Sequence, residues 1–481
     1  MLRQILYTII CWLMAVSYNF AEEKAPEKLA GEWTGKRVMP RQGFKLQTKN
    51  GEAPERDSPP FKITKTEGDI LWCKNAFFEK AQVIPLEAAE AYYTEILEKE
   101  PANAWARVCR GIVLSRDKHW DKAIEDFNEA IRLEPANGDA FEHRGDAWVE
   151  KGEKEQAMRD YSEAIRLKPK CARVYQARGL LYKKEEVDRA IADYNEAIRL
   201  NPNDPYFFNN RGAAWEIKRE LDQALRDYNE AIRIDPKFAW PYHNRGLLAA
   251  HRGEWDAAIK DYDEAIRLDP KYLTAYNNRA DAWDEKGEPD KAIADLSEAI
   301  RLEPKDAGAY VNRGHVRAKQ GDWDSALKDF DEAVRLDPNN ANGFQNRGAA
   351  HANQGNLEKA VKDFSEALRL NPKLVAALVN RGRLALVSGK VESAIKDFTT
   401  AIEVDPKYVD AYTSLAVILA TSLNEKLRDG PRAVELAKKA CELTRWKDPE
   451  CLLALAAAYE AIGDLKNAEQ WRQKAIELMN A

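Results

Sequence analysis

The chain has 481 residues, 32% charged and 44% hydrophobic, with a net charge of −6 and the two signs interspersed. That balance excludes the basic face of a nucleic-acid binder, and six cysteines are too few and too scattered for a disulfide scaffold. None of the six histidines stands in a metal spacing such as HExxH, and no glycine-rich phosphate loop or nucleophile elbow occurs, so no enzyme, metal or cofactor is expected.

Residues 1–21 have the layout of a secretory signal. Arg3 supplies the positive start, and Ile5 to Val16 is an apolar core too short to span a bilayer comfortably. The cleavage site is imperfect: Ala15 and Ser17 form one small-residue pair, while Ala21 has Asn19 two before it. An uncleaved anchor or a wrongly assigned start is the alternative. No later segment is apolar enough to cross a membrane, so a soluble mature chain in the periplasm, or otherwise outside the cytoplasm, is expected. Cys73, Cys109 and Cys171 read as lone buried thiols. Cys441 and Cys451, ten apart, fall on predicted helices that should pack side by side; an oxidising compartment permits a bridge there, but buried free thiols are the preferred reading.

Residues 22–30 are a polar tether. Across 31–85 come short alternating runs (Lys36–Met39, Phe44–Thr48, Phe61–Thr66, Ile70–Lys74, Ala76–Lys80) punctuated by Gly43, Gly51, Gly68, Pro40, Pro54, Pro59 and Pro60. This is the pattern of a small β module. Residues 86–103 then hold one helix, Glu87–Glu98, ending at Pro101. It reads as a half-repeat whose missing partner is replaced by the β module, which is expected to cap that end.

From Pro101 to Pro406, prolines recur every 34 residues, save one step of 33 from Pro169 to Pro202. So strict a period means one supersecondary unit stacked many times. Full units run over 104–448 as ten helical hairpins, with an insertion at 422–430, and 449–481 form a C-terminal capping repeat. Each second helix ends in a run such as RLDP, where proline stops it. Gly152, Gly253, Gly287, Gly321, Gly355, Gly389 and Gly463 fall in the turn between the two helices. The third repeat has lost one residue there, which explains the short step.

Within one repeat, Gly145, Trp148, Ala157, Tyr161, Ala164 and Pro169 match the tetratricopeptide pattern, which recurs along 104–481. The chain resembles a tetratricopeptide repeat protein. That resemblance implies a mainly α fold, a right-handed α-solenoid of tandem hairpins whose first helices line a concave, partner-binding surface. The runs GEWTGKRV and FKITKTEGDILWCKNAFFEKAQVIPL resemble the SH3-like small barrel that precedes helical repeats in some exported bacterial proteins, with Trp33, Trp72 and Phe77–Phe78 as core aromatics.

Aligning the chain against itself exposes two ladders. Before the small residue of each first helix stands an arginine (Arg110, Arg144, Arg178, Arg211, Arg245, Arg279, Arg313, Arg347, Arg381), and each second helix carries an aspartate (Asp126, Asp160, Asp193, Asp227, Asp261, Asp295, Asp329, Asp363, Asp397). Repeats ten and eleven lose both together, as Leu415 with Leu436 and Leu455 with Trp471. Paired loss argues for contact, so structural ion pairs such as Arg245–Asp261, Arg279–Asp295 and Arg313–Asp329 are expected in place of an anion-binding stripe. One residue before the arginine, six consecutive repeats carry Asn210, Asn244, Asn278, Asn312, Asn346 and Asn380. A carboxamide can grip a peptide group through both donor and acceptor. The row looks like the asparagine ladder in the repeat region of O-GlcNAc transferase, which implies backbone binding of extended polypeptide. Alternatively, each asparagine bonds a neighbouring helix and tightens the stack.

The acidic trio Asp281, Asp284 and Glu285 suits a basic segment, though a solvated helix face is the plainer reading. The expected function is a noncatalytic scaffold binding an extended protein or peptide segment of unknown identity. The alternative is cell-wall peptide or glycan binding by the β module, with the solenoid as a spacer or self-associating strut.

Overall fold

A computed structural model describes residues 83–480, together with strand segments at 37–40, 47–48, 61–62, 65–67, 70–73 and 76–79. The predicted signal, the tether and Trp33 lie outside the described residues. The chain divides into two compact units, Met1–Ala224 and Leu225–Ala481, and the division falls within the helix Leu221–Ile234.

In the N-terminal unit, seven short strands pair antiparallel in two sheets. β1 (Arg37–Pro40) lies between β3 (Phe61–Lys62) and β7 (Val83–Pro85). The other sheet runs β2 (Gln47–Thr48), β6 (Ala76–Glu79), β5 (Ile70–Cys73), β4 (Lys65–Glu67). In the β5–β6 pair, Trp72 lies opposite Phe77. β1 and β7 connect to the helices: Met39 and Ile84 pack with Tyr93, Ala106, Cys109 and Val113, and the Tyr93 hydroxyl donates to the Pro40 carbonyl. Burial of Tyr93 on the helix Ala89–Lys99 thus ties the lone helix to a strand.

The described residues contain 23 α-helices. From Ala104 onward they alternate between first helices of 10 to 14 residues and second helices, mostly of 14. Side-chain caps such as Asn103, Asn137, Asp306 and Asn340 open several first helices by accepting from backbone N–H groups. The turn glycines take φ of +70° to +82°, where only glycine avoids a steric penalty. Lys118 and Arg219 hold the same position at φ of 62° and 66°. The deletion in the third repeat ends the first helix early, at Leu181, and a 3₁₀ turn, Lys184–Glu186, replaces the glycine turn. The insertion forms a 3₁₀ turn, Glu425–Leu427, and Asp429 caps the next helix.

Seven of the hairpins close on a described glycine–aromatic contact. A methyl group on Gly314 would stand 2.6 Å from the Phe330 ring, and one on Gly246 would stand 2.8 Å from Tyr262. Ala280, Ala416 and Ala456 replace the glycine in three repeats; beside Ala280, Leu296 replaces the ring, and both are fully buried. Alanine and one aromatic or leucine per hairpin therefore make the core, and repetition extends it.

First helices of successive repeats approach one another closely. This holds for Ala239–His251 with Leu273–Glu285, for Ala307–Lys319 with Ala341–Asn353, and for Val409–Thr421 with Pro449–Ala461. No two second helices do so to the same extent among the described residues. The first helices therefore form the inner wall within each unit.

Candidate peptide-binding wall

Cross-repeat contacts identify the positions that face along this wall. Taking the asparagine as reference, the residue before it reaches the next repeat's asparagine, as in His243 to Asn278 at 2.8 Å. The residue three after it meets the residue four before the next reference, as in Asp146 with Arg173 at 2.9 Å and Arg383 with Asp410 at 2.8 Å. Positions six and seven after it also meet, as in Asp284 with Lys319 at 2.8 Å.

The arginines are fully engaged. In eight of the expected pairs the guanidinium is bidentate on its aspartate, Nε at 2.7–3.1 Å and Nη2 at 2.6–2.7 Å. Arg211 and Asp227 belong to different units. The aspartates are 2–8% exposed. Sequence reasoning missed a third contact: Nη1 of the same arginine reaches back 16 residues to the preceding second helix. It donates to Asn128 from Arg144, Asn195 from Arg211, Asn229 from Arg245, Asp263 from Arg279, Ser297 from Arg313 and Asp331 from Arg347. The signal was present, because the position two after every ladder aspartate holds a hydrogen-bond acceptor. The guanidinium also lies over an aromatic ring of its own helix, 5.6 Å from Tyr276 for Arg279 and 5.4 Å from Phe344 for Arg347. Arginine is required for this fork geometry, and no anion-binding stripe is left over.

The carboxamides divide. Asn278 Nδ2 donates to His243 Nε2, and His243 Nδ1 stands 3.3 Å from Asn244 Oδ1. This network assigns the Nδ1–H tautomer, with one ring nitrogen donating and the other accepting. His243 is buried with its ring tilted against Tyr272, at 4.9 Å between centroids; burial pulls its pKa down to about 4. Asn346 accepts from its neighbour Gln345 at 3.3 Å. Asn312 and Asn380 in the C-terminal unit, and Asn210 in the N-terminal unit, are half-buried and make no side-chain hydrogen bond among the described residues. Two of the amides are thus tied to His243, while those of Asn312, Asn380 and Asn210 have no side-chain partner among the described residues.

The two units differ in wall chemistry. In the N-terminal unit two wall carboxylates are paired internally. Buried Glu142 and neighbouring Asp146 share Arg173 at 2.5 and 2.9 Å, and the Tyr161 hydroxyl donates to Asp146 at 2.7 Å. In the C-terminal unit, Asp281 and Glu285 are exposed and make no ion pair among the described residues, while Asp284 is taken by Lys319. Asp281 reaches solvent, yet partial desolvation on the crowded wall, then the charges of Asp284 and Glu285, push its carboxyl up to about 6. One helical turn away, Asn277 Oδ1 is buried and accepts no hydrogen bond. Farther on the wall becomes apolar, with Val387, Val417 and Leu453 exposed at wall positions. Among the described residues there is no group of side chains able to hold a metal ion, and no helix is long and apolar enough to cross a membrane.

No curated protein matches the chain. Among solved structures, YrrB, described as a TPR protein with an unusual peptide-binding site, is 25% identical over 38% of this chain and 95% of its own, with a TM-score of 0.34. Yeast Tom70 is 17% identical over 79% and 92%, at 0.40. A tetratricopeptide repeat protein from Parabacteroides merdae ATCC 43184 is 22% identical over 54% and 98%, at 0.42. The family profile described as TPR repeat matches residues 145–185, 180–216, 218–251 and 314–355. Two profiles described as tetratricopeptide repeat match 341–374, and 243–307 with 379–445. With most of its helical hairpins matched in this way, the chain belongs to the tetratricopeptide repeat family.

Proposed function

We propose that the chain is a noncatalytic scaffold that binds an extended polypeptide segment along the inner wall of its C-terminal unit. Asn244, Asn278, Asn312, Asn346 and Asn380 hold the segment by its backbone. Asn210 occupies the same position in the N-terminal unit. The observation that carries this reading is the contrast on one wall: every ladder arginine there has its full set of partners, while the amides of Asn312 and Asn380 have none. A half-buried carboxamide without a partner forgoes hydrogen bonding that a peptide group supplies. Ordering a floppy segment costs entropy, so each contact adds little and affinity accumulates over repeats. The apolar start of the chain supports a setting outside the cytoplasm, and the contact of Met39 and Ile84 with Tyr93 supports the strands as a cap on the helical stack.

A displayed library of random 18-residue peptides tests the reading. Wild-type protein should enrich peptides that the Asn312→Ala/Asn346→Ala/Asn380→Ala variant fails to retain. Equal enrichment by a folded triple variant would contradict it.

A further inference from the structure

Every large apolar side chain that is exposed in the described part of the C-terminal unit lies after residue 386. Three of them, Val387, Val417 and Leu453, stand at wall positions, and Val387 is 71% exposed. They sit on three successive first helices, Val375–Val387, Val409–Thr421 and Pro449–Ala461. Apart from the exposed apolar residues of the insertion and the last hairpin, the wall thus carries an apolar stripe, one exposed side chain on each of three successive first helices. Exposed apolar side chains continuous with a polar binding wall mark a place that a partner covers.

The other end of the same wall identifies that partner's charge. Asp281 and Glu285 remain after Lys319 has taken Asp284, so the patch keeps two uncompensated carboxylates. The buried Asn277 Oδ1 on the same helix adds a third acceptor without a donor. These three acceptors outnumber the one lysine beside them, so the complementary group is a donor with positive charge. First helices in contact lie about 10 Å apart, and extended chain covers about 3.3 Å per residue. Three helix steps separate the Asp281 helix from the Val387 helix, and four separate it from the Val417 helix. About nine to twelve residues of extended chain therefore bridge the acidic patch and the apolar stripe.

We infer that the wall selects an extended segment carrying a lysine or arginine over Asp281 and Glu285 and bulky aliphatic side chains roughly nine to twelve residues away over Val387 and Val417, with Leu453 one helix step farther on. The inference rests on the proposed backbone grip and adds the side-chain class that the grip alone does not read. The amide of Asn312 lies on a helix between the two patches and that of Asn380 on the helix of Val387, and they hold the intervening residues whatever their sequence.

Three capped 18-residue peptides on a glycine–serine background provide the test, read by fluorescence anisotropy. The first carries two lysines and, ten residues on, two leucines. The second has glutamine for lysine, and the third has serine for leucine. The first should bind at least tenfold more tightly than either other. In Asp281→Asn/Glu285→Gln protein the lysine dependence should vanish and the leucine dependence persist; Val387→Ser/Val417→Ser should do the converse. Equal binding of all three peptides overturns the inference and leaves the backbone grip standing. No binding of the three by protein that still retains library-selected peptides overturns it equally. If library peptides are not retained either, the backbone grip itself has failed.

Discussion

His243 and Asn278, 35 residues apart, are joined across two repeats by a 2.8 Å hydrogen bond between the ring Nε2 and the amide nitrogen. The amide can donate only while the ring is neutral, and burial keeps it neutral down to about pH 4. One rung of the asparagine ladder is thereby fixed in orientation by the rung before it.

The same residue predicts an acid weakness. An unfolded chain binds a proton on His243 below about pH 6.5, whereas the folded chain resists until about pH 4. The stabilising contribution is complete above pH 6.5 and is lost as pH falls through that window, at most about 3 kcal/mol. Urea unfolding of wild type and His243→Gln between pH 7 and 4 should show a steeper loss for wild type. Parallel pH profiles would contradict the assignment.

Arg279 and Asp295 illustrate how the ladder sets stability. Asp295→Ala leaves a guanidinium that keeps Asp263 and some solvent, and should cost about 2–3 kcal/mol, below the limit for a wholly buried charge. Arg279→Leu strands a carboxylate that is 7% exposed and should cost more. Arg279→Leu/Asp295→Leu should recover most of the loss, because the chain already carries Leu415 with Leu436 in the corresponding positions, with Leu415 only 1% exposed. Urea midpoints of the three variants check this; a double variant showing the sum of the single losses would refute it.

Gly314 faces Phe330 too closely for a β-carbon. Gly314→Ala should destabilise by about 1–3 kcal/mol through overpacking, and adding Phe330→Leu should restore part of it, reproducing the Ala280–Leu296 hairpin. Thermal unfolding of the pair decides the point. No rescue would mean that the two positions are not coupled.

Cys109 and Cys441 are buried, and desolvation raises each thiol to about 12. The thiolate is the reactive form, so both should resist iodoacetamide at pH 8 in native protein and react once it is unfolded. Cys171 is half-buried and stands 3.7 Å from a Glu142 oxygen, so the expectation of a wholly buried thiol does not hold there. Mass mapping of the alkylated residues gives the order.

The repeat period, turn glycines and Arg–Asp pairing were legible because each repeat is a copy of its neighbour, and errors in one are visible against the rest. The Nη1 contact escaped notice because its acceptor varies among Asn, Ser and Asp, chemically alike but different as letters. His243 escaped because it occurs once, and a single departure from a repeat has nothing to be compared with. Likewise Glu142 and Asp146 resemble solvated helix charges until Arg173 from the next repeat is seen between them. The division at Ala224 and Leu225 falls inside a helix with no change in the repeat pattern, so no local signal marks it.

The most direct measurement uses one library-selected peptide and its backbone-methylated twin. A wall that grips peptide groups loses its hold when alternate amide nitrogens carry methyl groups, although every side chain is retained. Titration calorimetry should give at least a tenfold weaker Kd for the methylated peptide, and a comparable loss for the unmodified peptide on Asn312→Ala/Asn380→Ala protein, since two hydrogen bonds of about 1 kcal/mol each correspond to that factor or more. Equal affinity of the two peptides, with the double variant binding like wild type, would contradict the carboxamide grip.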